Sequence, residues 1–185
     1  MAKMLLQPCD AEIEVKKSRF LAHLISVRNA QEIKEIIREY RQMHPKARHV
    51  CYAYVLKNGQ SGSNDDGEPH GTAGRPLLEV LTHSALVDVC VLVIRYFGGT
   101  LLGKGGLSRA YKDAAKEALS LAQMQEFIEK ESRQYRLGYA QFEKLKRLLE
   151  AKEIEYQSEF ADEVCVRYQA ERAVCDEIDE KVKML

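Results

Sequence analysis

Residues 88–97, DVCVLVIRYF, form a nearly unbroken apolar run of β-branched and aromatic side chains, and five glycines follow between Gly98 and Gly106. The run is far below the roughly 20 residues needed to span a bilayer as a helix. It also lacks the polar-apolar alternation of a half-exposed strand, so it predicts a central strand buried on both faces. The glycine-rich turn GGTLLGKGG then leads into a helix expected over 105–122. Leu107, Ala110, Ala114, Ala118 and Leu119 recur at helical spacing on its core side, with Arg109, Lys112 and Lys116 on another side.

The flanking segments supply companions for this strand. Residues 11–17 and 20–27 alternate well enough to predict a hairpin turning around Ser18. Asn29 with Glu32 three residues on is a helix-start signature, and Ile33, Ile36, Ile37 and Tyr40 continue it over 30–43 until His44-Pro45. Lys34, Arg38 and Arg41 share the opposite side of that helix. Residues 50–57 predict a strand, 58–76 a long loop dense in turn formers, and RPLLEVLTHSAL from Arg75 a short helix with Pro76 near its first turn.

Past a charged stretch at 125–130 a second pattern begins. Tyr135, Leu137 and Tyr139 alternate, Phe142, Leu145, Leu148 and Leu149 mark a helix at 140–152, and strands near 153–160 and 163–169 precede a helix at 171–183. This β-α-β-β-α order is that of a ferredoxin-like plait lacking at most its last strand. The chain of 185 residues is therefore read as two α+β domains, 1–124 and 130–185.

Composition narrows the functional classes. Formal net charge is zero, yet residues 1–125 sum to +4 and residues 126–185 to −4. A basic N-terminal part suits a polyanionic partner, and equally a plain solvated surface. The five cysteines are odd in number and form no C-x-x-C pair, which argues against a disulfide framework or structural zinc. With no long apolar segment and only a short apolar run near the N-terminus, the chain reads as a soluble cytosolic protein without membrane association.

Two constellations carry chemistry. Gly98-x-x-x-x-Gly103-Lys104 matches the first seven positions of a phosphate-binding loop, but Gly105 stands where a magnesium-binding hydroxyl would be needed, so nucleotide hydrolysis is not indicated. What remains is a glycine-lined helix start that favours anions, or a strand-to-helix turn that simply needs glycine's conformations. In DDGEPHG, Asp65, Asp66, Glu68 and His70 could hold a cation or act as acid and base; Asp-Gly and Glu-Pro are also strong turn formers.

SRFLAHL from Ser18, HVCYAYV from His49, DDGEPHGTAGRPLLEVL from Asp65 and RYFGGTLLGKGGLSRAYKDAAKEAL from Arg95 together resemble, in order and spacing, the IMPACT/YigZ family. The tail is similar to the small C-terminal domain of its bacterial branch. The resemblance implies a ribosomal protein S5 domain 2-like fold for the N-terminal domain, as in domain IV of elongation factor G, and likeness of the tail to that factor's ferredoxin-like domain V. It implies a translation-related role: the eukaryotic relative binds a ribosome-associated activator of a starvation-response kinase.

The expected function is binding of RNA, the ribosome or a ribosome-associated protein. Phosphate is expected at Gly98, Gly99, Gly103, Lys104, Gly105 and Gly106 with Arg95 and Arg109, and Arg75 in a lesser part. The alternatives are a hydrolase acting through Asp65, Asp66, Glu68 and His70, or a protein-interaction module. No metal or cofactor is implied, and no oligomeric state.

Overall fold

In the computed structural model, which describes residues 2–184, the segment Val89–Tyr96 lies at the centre of a five-stranded antiparallel sheet. Seven of its eight residues are buried, as the missing alternation requires. In chain order the first compact unit holds β1 (Lys3–Leu5), β2 (Cys9–Val15), β3 (Ser18–Ser26), α1 (Ala30–Met43), β4 (His49–Val55), β5 (Ser61–Asn64), α2 (Gly74–Ser84), β6 (Val89–Tyr96), α3 (Gly103–Leu121) and β7 (Met124–Glu126). The sheet order is β2-β3-β6-β4-β5, and β1 pairs with β7 in a separate ladder.

Strand periodicity sorts the core into two layers. Val89, Val91 and Val93, with Phe20, Ala22, Leu24, Cys51 and Ala53, face Leu77 and Leu81 of α2 and the alanine-rich side of α3. Cys90, Leu92 and Ile94 face the other way, onto Ile33, Ile36, Ile37 and Tyr40 of α1. Small alanines on α3 let that helix lie close to the sheet. Truncating Leu92, which has no exposed surface, would cost about 2–5 kcal/mol.

Helix α1 begins at the expected cap. Asn29 Oδ1 accepts from the backbone N–H groups of Gln31 and Glu32, each at 3.0 Å. The Glu32 carboxylate reaches back to the N–H of Arg28 at 2.8 Å, one residue before the usual reciprocal cap position. The chain leaves the helix through the His44 N–H bonded to the Tyr40 carbonyl, just before Pro45.

Four elements differ from expectation. β5 lies inside the expected loop, because Ser61–Asn64 borrows its ladder from β4 although no residue in it favours strands. Gly62 leaves room for Tyr54, whose ring a Cβ would approach to 2.7 Å. α3 begins at Gly103, two residues before the expected start at 105, so Gly103 and Lys104 already belong to the helix. The short strands β1 and β7 carry no readable period, and their pairing, from Lys3 with Glu126 to Leu5 with Met124, extends the first unit to Phe127.

The second unit begins at Ile128 and holds β8 (Lys130–Leu137), α4 (Tyr139–Ala151), β9 (Tyr156–Phe160), β10 (Val164–Glu171) and α5 (Arg172–Lys183). Its antiparallel sheet has the order β8-β10-β9. Val164, Val166, Tyr168 and Ala170 point to one face, where Phe142, Leu145 and Leu149 of α4 meet Cys175 and Ile178 of α5. Ser132, Gln134, Arg167 and Gln169 are exposed on the other. Among the described residues no helix is long and apolar enough to cross a membrane.

Because each unit has its own core, a fragment ending at Phe127 should melt cooperatively on its own. One ending at Gln123 loses β7 and leaves β1 only its bridge from Lys3 to Leu86, and should melt several degrees lower by calorimetry. Equal melting temperatures would show that the terminal ladder contributes nothing.

Candidate functional site

Register places three connections at one end of the five-stranded sheet. Arg19 pairs with Tyr96 and His49 with Arg95. The β2–β3 turn, the entry to β4 and the exit of β6 therefore lie together, and the acidic loop reaches the same end through Asp66 and His49.

The acidic loop is built into the fold. Asp65 Oδ1 accepts from the N–H groups of Ala73 (3.0 Å) and Gly74 (2.8 Å), and Oδ2 from Gly71 (2.8 Å). It thereby caps α2, whose own first position, Ala73, has no side-chain acceptor. Burial raises the Asp65 carboxyl, but these three donors with nearby His70 outweigh that and hold it below the usual carboxylate range. Asp66 accepts the Val50 N–H at 2.6 Å and pairs with Arg41, tying the end of α1 to the start of β4. His70 is fully exposed, its Nδ1 3.7 Å from Asp65.

Glu68 goes inward. Only 7% exposed, its Oε1 accepts from Arg95 Nη1 at 2.7 Å and from the Tyr111 hydroxyl at 2.8 Å. Its Oε2 faces His49 Nε2 at 3.9 Å, while His49 Nδ1 donates to the Asp66 carbonyl at 2.7 Å. The Cys51 thiol donates to the Asp65 carbonyl at 3.0 Å and sits 3.3 Å from the Tyr111 hydroxyl. Burial pushes both Cys51 and Tyr111 far above their ordinary values, so neither is an anionic nucleophile here. Among the described residues no group of three His, Cys, Asp or Glu side chains is placed to hold a metal ion.

The glycine loop is open where the acidic loop is closed. Gly98 donates its N–H to Ser18 Oγ at 3.1 Å, and a Cβ on it would lie 2.0 Å from the Lys17 carbonyl carbon. Gly99 and Gly103 have φ of +87° and +69°. α3 then starts after Leu102 with no side-chain cap and no acidic residue in its first turn. Among the described residues its first N–H groups and the positive end of its dipole have no side-chain partner, and exposed Lys104 stands among them.

Arg109 is exposed five residues further, about 140° around the helix from Lys104 at 3.6 residues per turn. The two cations therefore do not share a side. Arg75 is exposed in the first turn of α2. Arg95 requires a correction: at 6% exposure and paired with Glu68 it is withdrawn from the surface, because the parity of β6 turns it into the layer of Phe20 and Tyr111.

The structure adds cations that the pattern did not single out. Lys16 and Lys17 make the two-residue turn between β2 and β3, both exposed and with φ of 48° and 66°. Such turns favour Asn-Gly, and each lysine in this region costs about 1 kcal/mol or more. Gly98 packs on this turn, so both lysines stand beside the glycine loop. The signal was available: a strict two-residue hairpin between the alternating segments puts the turn at 16–17 rather than at Ser18. Tyr111 and His49 carried no such signal, since their roles depend on contacts remote in sequence.

A family profile described as the Impact N-terminal domain matches residues 16–119. The chain is 48% identical over 113 residues to the IMPACT family member YvyE of Bacillus subtilis, covering 60% of this chain but only 52% of that protein. It is 38% identical over 152 residues to an IMPACT family member of Haemophilus influenzae, covering 80% and 74% of the two chains. A crystal structure described as a hypothetical protein superposes with a TM-score of 0.74 at 32% identity, over 98% of this chain and 90% of the other.

Two outcomes test the acidic loop. Glu68→Ala leaves Arg95 buried without its carboxylate, so urea denaturation should show a loss of about 3–5 kcal/mol; a loss under about 1 kcal/mol would mean the network is dispensable. Asp65, with its carboxyl held low, contributes stability that is full above the ordinary carboxylate pKa and is lost as pH falls through the lowered value. Melting temperature in the wild type should therefore drop below about pH 4, and Asp65→Asn should be less stable at neutral pH with a shallower acid drop.

Proposed function

The chain belongs to the IMPACT family, and from that premise we propose that its N-terminal unit binds RNA or an RNA-rich ribosomal surface through the glycine loop, in a translation-related role in the cytoplasm. We read that unit as ribosomal protein S5 domain 2-like. The second unit is read as a ferredoxin-like plait without its fourth strand, the order β8-β10-β9 being first-third-second in that fold. The pairing of these two folds is the likeness to elongation factor G that the family resemblance implies.

The observation that carries the proposal is the uncapped N-terminus of α3. A helix of 19 residues ends in free N–H groups with Lys104 against its positive pole and no acidic side chain to offset it. That arrangement is unfavourable alone and becomes favourable when an anion arrives. Lys16 and Lys17, fixed beside Gly98, widen the cationic surface beyond a single phosphate. The phosphate contacts are Gly99, Gly103, Lys104, Gly105, Lys16 and Lys17, with Arg109 and Arg75 at the margin.

A hydrolase is the second reading. The approach of His49 Nε2 to Glu68 Oε2 supports it, His49 taking the place first considered for His70. Against it, Asp65 and Asp66 are occupied by backbone donors and Arg41.

Fluorescence anisotropy with a short uridine homopolymer tests the binding reading. Affinity should fall linearly with salt on a log–log plot, with a slope of about −0.7 per phosphate and two or three contacts. Lys104→Ala and Lys17→Ala should each weaken binding and reduce the slope by about one contact, and Arg109→Ala by less. Absence of binding at low ionic strength, where such attraction is strongest, would remove RNA as the partner and leave a protein partner in its place.

A further inference from the structure

Phe97 lies at the junction of the buried network and the open loop. It follows β6 by one residue and has the parity of Arg95, so its ring falls on the Arg95 side of the sheet. The Arg95 guanidinium carbon lies 5.6 Å from the Phe97 ring centroid and 5.6 Å from that of Phe20. Arg95 is held by Glu68, and its Nε is buried without a hydrogen-bond partner among the described residues. Its further attraction is to the faces of these two rings.

The Phe97 ring is thus braced from below, yet the residue keeps 45% of its surface exposed. Leu101, in the same connection, is 84% exposed. A large apolar surface held rigid in solvent is unfavourable by itself. Here it stands beside Lys16, Lys17 and the cationic start of α3. An aromatic face next to cations is the combination that single-stranded nucleic acids use: bases stack on the ring while phosphates lie along the charges. A duplex offers only edges and backbone at its grooves, because its base faces are already stacked on one another.

We propose that Phe97 is a stacking platform for an unpaired base, and that the glycine-loop site therefore takes single-stranded rather than duplex RNA. The inference rests on the phosphate-binding reading above and adds the chemical class of strand that the site selects. Arg95 then acts as a positioning residue that fixes the ring and makes no phosphate contact.

The test uses the full chain, a short uridine homopolymer and an RNA duplex of equal length, titrated by fluorescence anisotropy at several salt concentrations. Phe97→Ala and Phe97→Leu should each weaken homopolymer binding by about tenfold to a hundredfold with the salt slope unchanged. Phe97→Trp should keep or improve affinity. Duplex binding should be weaker in the wild type and indifferent to residue 97. Because Phe97→Ala also removes a neighbour of Arg95, Phe97→Leu, which keeps apolar bulk but no aromatic face, separates stacking from folding. Wild-type binding with the expected salt slope but equal affinity in the leucine variant would overturn stacking while leaving phosphate binding intact. Equal losses on homopolymer and duplex would overturn strand selection. No binding of either RNA by the wild type would overturn both this inference and the reading beneath it.

Discussion

One carboxylate oxygen holds one end of the N-terminal unit's sheet together. Glu68 Oε1 receives Arg95 from the central strand and Tyr111 from α3, so the acidic loop, the sheet and the long helix meet at a single atom. Burying a carboxylate and a guanidinium carries a desolvation penalty that their attraction need not exceed. The pair's value lies in what it excludes. With Glu68 inside, the loop cannot slide, Asp65 falls where it caps α2, and Asp66 falls where it reaches Val50 and Arg41. Tyr111 completes the arrangement by packing edge-on against Phe20, ring centroids 5.2 Å apart.

From this anchor the contrast between the two loops follows. The acidic loop directs its charges at backbone N–H groups and at Arg41, Arg95 and Tyr111, so its carboxylates are satisfied by the protein itself. The glycine loop leaves a helix start without an acceptor and sets lysines around it. The strain at Lys16 and Lys17 belongs to the same picture: a turn suited to Asn-Gly instead carries two cations, and Gly98 is needed because the chain passes so near them that no side chain fits. Backbone strain of this kind collects where a protein uses geometry for something other than stability.

Much of this was legible in the sequence, for identifiable reasons. The span of α1 could be read because Asn29, the isoleucine spacing and His44-Pro45 are local signals, and the central strand because its apolar run tolerates only double burial. β5 was hidden, since SGSN has no strand propensity and depends on its neighbour. β1 and β7 were hidden because three residues show no period. At the site, the glycine loop and Lys104 were readable from spacing. The inward turn of Arg95 and Glu68 was not, because strand parity at Arg95 becomes informative only once the layer it faces is known. His70 and His49 illustrate the same limit: sequence proximity favoured the first, whereas the strand register brings the second to Glu68.

The central claim is that the open end of α3, flanked by the lysine turn, is where this protein meets a polyanion. Backbone amide shifts of the isotope-labelled full chain, followed by NMR during titration with a short uridine homopolymer, test it residue by residue. The account predicts the largest shifts at Gly99, Gly103, Lys104 and Gly105 and at Lys16 and Lys17, with little change at Gly71, Ala73 and Gly74, whose amides Asp65 already holds. Shifts confined to residues 128–184, or centred on α2 and the acidic loop while the start of α3 stays unmoved, would contradict it.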